Sequence, residues 1–284
     1  MFNRNILVLI LGLLSFSSQA QIMPGFSEQT LRSDGGERSY TFYVPENASP
    51  EGAPLVFSFH GSGGVPQQQV NISGFDQLSD QYGFISVFPA GAFTNSVTAR
   101  SWNANIDAGV DDVQFVRDII EDVASKVAID RKRIYASGFS GGARMSSRLA
   151  CELSDILAAA APVDGLQYPD GCILKRHIPV LSFHGKADQT NHYVLSENSR
   201  PYWRMGVETA IDKWRQANGC SMKNDADRIS QEVTFYQWSD CLGAAEIQFY
   251  VTENGGHTWP GADENRDINA SQLIWEFFSR HSLP

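Results

Sequence analysis

The chain has 284 residues, with 22 basic against 32 acidic side chains and a formal net charge of −10. Its residues are 42% hydrophobic, 11% aromatic and only 19% charged, a balance that can bury a full core and excludes a disordered tail or a long solvated coil. The acid excess, with no basic run longer than Arg131-Lys132-Arg133, repels phosphate backbones and anionic lipid, so neither nucleic acid nor a membrane surface is an expected partner.

In chain order, the first segment reads as an export signal. Arg4 precedes an apolar run over 6–14, and Ser18-Gln19-Ala20 ends it in a small-x-small pattern, so residues 1–20 are expected to be cleaved after Ala20. The run is too short to span a bilayer. No cysteine lies at the cleavage region to carry a lipid anchor, and a secreted or periplasmic location follows.

Residues 21–284 then read as one domain in which strands alternate with helices. Tyr40, Phe42 and Val44 recur at period two, as an early strand does. Short apolar runs at 54–60 and 83–89 have the pattern of buried parallel strands, with a helical stretch over 75–81 between them. Over 110–127, Val113, Val116, Ile119, Ile120, Val123 and Val127 recur at helical spacing, and Asp111 and Asp112 stand in the first turn, where carboxylates favour the helix dipole. Strand 133–137, helix 143–153, strands 158–163 and 179–184, helix 207–217, strands 233–238 and 247–251 and a closing amphipathic helix 271–281 complete the order. This alternation predicts the α/β class, a mainly parallel sheet with helices on both faces.

Export puts the four cysteines in an oxidising compartment. Cys151, Cys172, Cys220 and Cys241 allow three pairings, among which sequence alone does not choose. The equal intervals from Cys151 to Cys172 and from Cys220 to Cys241 favour two sequential bridges, each contributing roughly 3 kcal/mol by loop closure. A zinc site lacks both a CxxC pair and a histidine at ligand spacing, so no metal is expected.

The segment Gly138-Phe139-Ser140-Gly141-Gly142 lies between a predicted strand and a predicted helix, the setting in which G-x-S-x-G forms a nucleophile elbow. The tight turn strains Ser140, lifts its hydroxyl to the C-terminal edge of the sheet and aims backbone N–H groups at developing negative charge. A serine hydroxyl needs a base to take its proton and an acid to orient that base, in the chain order Ser, Asp or Glu, His. The loop after strand 179–184 offers Asp188, and the Gly-rich turn Gly255-Gly256-His257 offers the base. Asp164 and His192 are the minor competitors, while His60 and His184, each ending a buried strand before glycine, read as structural. The N–H of Gly141 is one oxyanion donor, and the segment His60-Gly61-Ser62-Gly63-Gly64 supplies the other at Ser62. A phosphate loop is excluded there because the Lys and Ser/Thr of that motif are missing.

Taken together, FHGSGG, SWN with VDDV, YASGFSGGARMS, FHGKAD, GGHTWPG and the closing DINASQLIWEFFSRH resemble the secreted polyhydroxybutyrate depolymerase and feruloyl esterase group of the α/β-hydrolase superfamily, over nearly all of the chain beyond residue 20. The resemblance implies an α/β-hydrolase fold, Ser140 as nucleophile, Asp188 as acid, His257 as base, no cofactor, and the two local disulfides. Gly141 departs from relatives of the feruloyl type, which often carry Asn, though only its N–H is needed. The chain stops at Pro284 without a polymer-binding module, which points away from a solid substrate. The expected substrate is a feruloyl or acetyl ester of plant polysaccharide, or a soluble hydroxyalkanoate oligomer. A depolymerase acting on polymer, a serine peptidase and a non-catalytic hydrolase-like binding protein are the alternatives.

Trp102 and Trp259 flank the site, either stacking on a substrate ring or packing beside the catalytic loops. The run Asp263, Asn265, Asp267 lacks the Gly and Glu of a calcium loop and reads as an exposed loop with a helix cap at Asn269. Sequons at Asn47, Asn71 and Asn269 mark positions expected to be exposed.

Overall fold

Neighbouring residues of the central strands enter different cores. Leu55 and Phe57 join one and Val56 the other; Ala160 joins the first, Ala159 and Ala161 the second. Because successive side chains point to opposite faces, such strands must be covered on both sides. The computed structural model describes residues 23–93, 99–104, 109–224, 226–262 and 267–284. The expected export segment, 1–20, and Asp263 and Asn265 of the acidic run lie outside the described residues.

The strands are β1 (Gly25–Ser33), β2 (Gly36–Val44), β3 (Ala53–Phe59), β4 (Ile85–Pro89), the short pair β5 (Ala92–Phe93) and β6 (Arg100–Ser101), β7 (Ile129–Phe139), β8 (Ala159–Val163), β9 (Val180–Gly185), β10 (Met222–Lys223), β11 (Asp227–Arg228), β12 (Val233–Ser239) and β13 (Ile247–Thr252). The helices are α1 (Pro66–Ser73), α2 (Phe75–Tyr82), α3 (Asp112–Ala124), α4 (Gly141–Glu152), α5 (Val207–Ala217) and α6 (Ala270–Ser279). The main sheet runs β1-β2-β4-β3-β7-β8-β9-β13-β12-β10, with β11 also paired to β12. It is parallel from β4 through β13 and antiparallel at both flanks.

Helices α3, α4 and α5 bury Val116, Met145 and Trp214 in the first core, while α1, α2 and α6 bury Val70, Phe75 and Phe277 in the second. The carboxylate of Asp111 starts α3 by accepting the N–H groups of Val113 and Gln114, and Asn269 starts α6 by accepting that of Gln272. A buried ion pair, Arg38 to Asp112 at 2.6 Å, ties β2 to α3.

The sequence reading lacks β1, α1 and the two-residue strands β5, β6, β10 and β11. The early strand over Tyr40 is the second arm of a hairpin whose first arm, β1, presents one half-exposed face and so lacks an apolar alternation. Helix α1 is mostly polar and opens on Pro66. Disulfides join Cys151 to Cys172 and Cys220 to Cys241. Among the described residues no helix is long and apolar enough to cross a membrane.

Candidate active site

Strand β7 ends at Phe139 and α4 begins at Gly141, leaving Ser140 alone to make the turn. Its backbone, at φ 55° and ψ −111°, lies in a region that side chains other than glycine's rarely occupy. Neighbouring structure holds it there: the Ser140 N–H donates to the Val163 carbonyl at 3.0 Å, and its own carbonyl accepts the Arg144 N–H. The turn needs glycine for room. A Cβ on Gly142 would stand 2.0 Å from the Phe59 carbonyl oxygen, a contact no backbone shift of ordinary size relieves.

Ser140 comes from the end of β7, Asp164 from β8, Asp188 from the loop after β9 and His257 from the turn after β13, so all four gather at the C-terminal edge of the parallel strands. His257 Nδ1 lies 2.7 Å from Asp188 Oδ2. The other oxygen of Asp188 accepts the N–H groups of Thr190 and Asn191 at 2.7 and 2.8 Å, which fixes the carboxylate in one plane. Burial pushes the Asp188 carboxyl up, but the hydrogen bond and charge of His257, with the Asn191 N–H, outweigh it and hold the group below the usual carboxylate range. Phe139 places its ring 4.8 Å from the His257 ring, so the residue before the serine also buttresses the imidazole.

Asp164 is in the same cluster in a different state. It is buried, its backbone is strained at φ 49°, and its two oxygens accept the N–H groups of Gly185 and Thr258 at 3.1 and 2.8 Å. Burial, followed by repulsion from Asp188, drives its pKa well above the ordinary value against the pull of those two donors. His184 sits behind the pair, Nε2 2.8 Å from the Asn191 carbonyl oxygen and 3.4 Å from Asp188 Oδ2, and burial lowers it to about 4. Among the described residues, Asp164, Asp188 and His257 form the one cluster whose ligand atoms lie close enough to share a cation, within 4.8 Å of one another. The four carboxylate oxygens all accept backbone or imidazole hydrogens.

Ser62 lies directly against Gly141. A Cβ on Gly141 would meet Ser62 Oγ at 2.3 Å and Ser62 N at 2.8 Å, which is why the residue after the serine is glycine here and which brings the two expected oxyanion donors together. His60 fixes the start of that loop: Nδ1 stands 2.7 Å from the Gly61 carbonyl oxygen, and Nε2 accepts the Gly91 N–H at 3.0 Å. Trp102 and Trp259 are both buried beside the catalytic loops. Trp102 is 8% exposed and donates its indole N–H to the His60 carbonyl; Trp259 is 3% exposed, donates to Ser271 Oγ and sits edge-on to Phe75. His192 Nδ1 lies 3.2 Å from Ser199 Oγ. Asn191 was missed by the sequence reading although its side chain donates to the Asp164 carbonyl and its N–H to Asp188. An Asp followed three residues later by Asn, just past a strand, is the signal of such a turn.

A strained serine at a strand-to-helix turn, beside a carboxylate-bound imidazole at the edge of a mostly parallel sheet covered on both faces, is the frame of an α/β-hydrolase. The same fold is found in the acetyl xylan esterase from Aspergillus awamori, with a TM-score of 0.67 at 17% identity over 89% of this chain and 99% of that one. An S-formylglutathione hydrolase from Agrobacterium tumefaciens shares it with a TM-score of 0.60 at 12% identity, over 93% of this chain and 98% of that one. The chain belongs to the esterase PHB depolymerase family, whose model matches residues 38–200. Feruloyl esterase B of Piromyces equi is 30% identical over 246 residues, which cover 82% of this chain and 43% of that protein. The putative esterase NocK of Nocardia uniformis is 33% identical over 256 residues, 80% of this chain and 72% of that one. The bifunctional acetylxylan esterase/xylanase XynS20E of Neocallimastix patriciarum is 28% identical over 89% of this chain and 34% of its own length. The chain thus spans less than half the length of the Piromyces equi and Neocallimastix patriciarum relatives it matches.

Proposed function

We propose that this protein is an exported serine esterase, one catalytic unit over residues 21–284, that hydrolyses carboxylic esters through an acyl-enzyme. The observation that carries this reading is the 2.7 Å contact between His257 and Asp188 beside the elbow of Ser140. His257 Nε2 takes the proton of Ser140 Oγ as that oxygen attacks the ester carbonyl carbon. The oxyanion accepts the N–H groups of Gly141 and Ser62, each worth roughly 3 kcal/mol in the transition state. Asp188, held ionised, keeps the Nδ1–H tautomer and stabilises the imidazolium. His257 then returns the proton to the leaving alcohol, and water, activated by the same imidazole, releases the acid and restores Ser140.

The names of the relatives support feruloyl and acetyl esters of plant polysaccharide, and the family's own name supports hydroxyalkanoate oligomers. A pH-stat panel of methyl ferulate, acetylated xylan and a hydroxybutyrate trimer, run beside a peptide amide, tests the reading. Acid release from at least one ester and none from the amide is expected; turnover of the amide alone, or of nothing, contradicts it.

A further inference from the structure

Three arginines are buried among the described residues, and two of them have acids. Arg38 pairs with Asp112 at 2.6 Å and Arg148 with Glu152 at 2.6 Å. The third, Arg144, is 8% exposed and has no carboxylate within ion-pair reach among the described residues. It stands one helical turn after Ser140. Its Nη2 donates to Ser62 Oγ at 3.3 Å, its guanidinium lies 4.2 Å over the Tyr202 ring, and its Nε–H has no partner. On its other side it lines a narrow crevice with Gln167, Tyr168, Arg204 and Met205.

A buried guanidinium whose hydrogens are not spent is costly to maintain. Burial presses its pKa below the ordinary arginine value, with the Tyr202 side chain pulling the other way. An arginine nonetheless keeps its charge in proteins, and its fork of donors suits a carboxylate. The position also matters. Arg144 touches the residue expected to hold the oxyanion, so whatever it binds lies only a few bonds from the scissile carbonyl. The molecule carries a net charge of −10, so an anionic substrate gains nothing from the long-range field and must be recognised by a local cation.

We propose that Arg144 is a specificity-determining residue that binds a free carboxylate on the substrate, placing this enzyme among those that prefer ester acids over neutral esters. The assignment rests on the esterase reading above. The carboxylate takes hydrogens from Nη1, the guanidinium nitrogen that is not enclosed, while Nη2 stays on Ser62, so recognition and the oxyanion donors share one scaffold. Two chemical sources present such a group: the acyl side, as in a dicarboxylic half ester, and the alcohol side, as in an acylated hydroxy acid.

The test compares carboxylates with their neutral amides. Monomethyl glutarate against methyl glutaramate probes the acyl side, and β-acetoxybutyrate against β-acetoxybutyramide the alcohol side, each at neutral pH with wild type, Arg144→Lys and Arg144→Gln. In at least one pair wild type should favour the carboxylate by about tenfold or more in kcat/KM, expressed mainly in KM, and the pair that responds identifies the side. Arg144→Gln should bring that ratio near one, and Arg144→Lys should retain part of it. A wild-type ratio near one in both pairs overturns the proposal while leaving the esterase reading in place, as the neutral esters are still cleaved. A preference that survives in Arg144→Gln removes this residue from the role. Failure of wild type on all four compounds and on the neutral ester panel takes the esterase reading down with it. The wild-type ratio requires no variant to fold.

Discussion

Asp164 and Asp188 leave adjacent strands a short distance apart, yet only Asp188 touches the imidazole. Asp164 spends both oxygens on backbone N–H groups, and its raised pKa makes it a poor partner for an imidazolium. Asp188→Asn should therefore lower kcat by about 10⁴, because the amide no longer fixes the tautomer of His257. Asp164→Asn should cost much less activity and show itself as a stability loss of roughly 1–3 kcal/mol, two N–H donors being left to compete for one amide oxygen. Steady-state kinetics and denaturant melts of the two variants check this, and an Asp164 variant with the greater loss of kcat would reassign the acid. A second residue-scale effect concerns pH. Burial lowers His60 to about 4, against the pull of the Gly61 carbonyl, and a proton on Nε2 would face the Gly91 N–H. The folded pKa is below the unfolded one, so the unfolded chain takes up the proton first, and stability falls from about pH 6.5 down to about 4, by roughly 2 kcal/mol at pH 5. His60→Gln should show a correspondingly smaller drop between pH 7 and pH 5 in urea titrations; an equal drop would mean that His60 is not the group responsible. Ser140, Asp188 and His257 stand out in the chain as candidates because a strand, a Gly-rich turn and a fixed order of residue types are local signals. The bonds from Asp164 to Thr258 and from Trp259 to Ser271 could not, since they depend on which loops meet.

At the scale of elements, legibility followed the strength of the apolar period. Helix α5 is where its pattern predicts, and α3, β12 and β13 lie within a few residues of theirs. Strand β1 has no such pattern, but its turn does have a signature. Asp34 and Gly35 both take positive φ, 48° and 75°, the conformation that Asp-Gly favours between antiparallel arms, so the dipeptide itself announced the hairpin. The second disulfide braces the approach to the His257 turn. Cys220 follows α5 and Cys241 follows β12, whose partner β13 leads into the His257 turn. Replacing both by serine should lower stability by a few kcal/mol, on the order expected from loop closure. A base displaced by about 1 Å can lose roughly a hundredfold in rate. On heating, the double variant should lose activity before its near-ultraviolet circular dichroism melts; coincident curves would show that the bridge does not hold the turn.

Over the whole molecule, the parallel run from β4 to β13 does two things at once. Its alternating apolar faces build two cores, and its C-terminal edge collects residues that are far apart in sequence, Ser62, Ser140, Asp188 and His257, into one place. The alternation of strands and helices made that architecture readable. What the sequence did not disclose is how closely the loops pack, as where Ser62 occupies the space a side chain on Gly141 would need. Acyl transfer on Ser140 at this edge, as proposed above, is open to covalent labelling. A fluorophosphonate probe should modify wild type at Ser140 alone, with loss of ester hydrolysis in step with labelling. Ser140→Ala, still folded, should neither label nor turn over ester. Labelling elsewhere, or turnover by Ser140→Ala within about tenfold of wild type, would contradict the account.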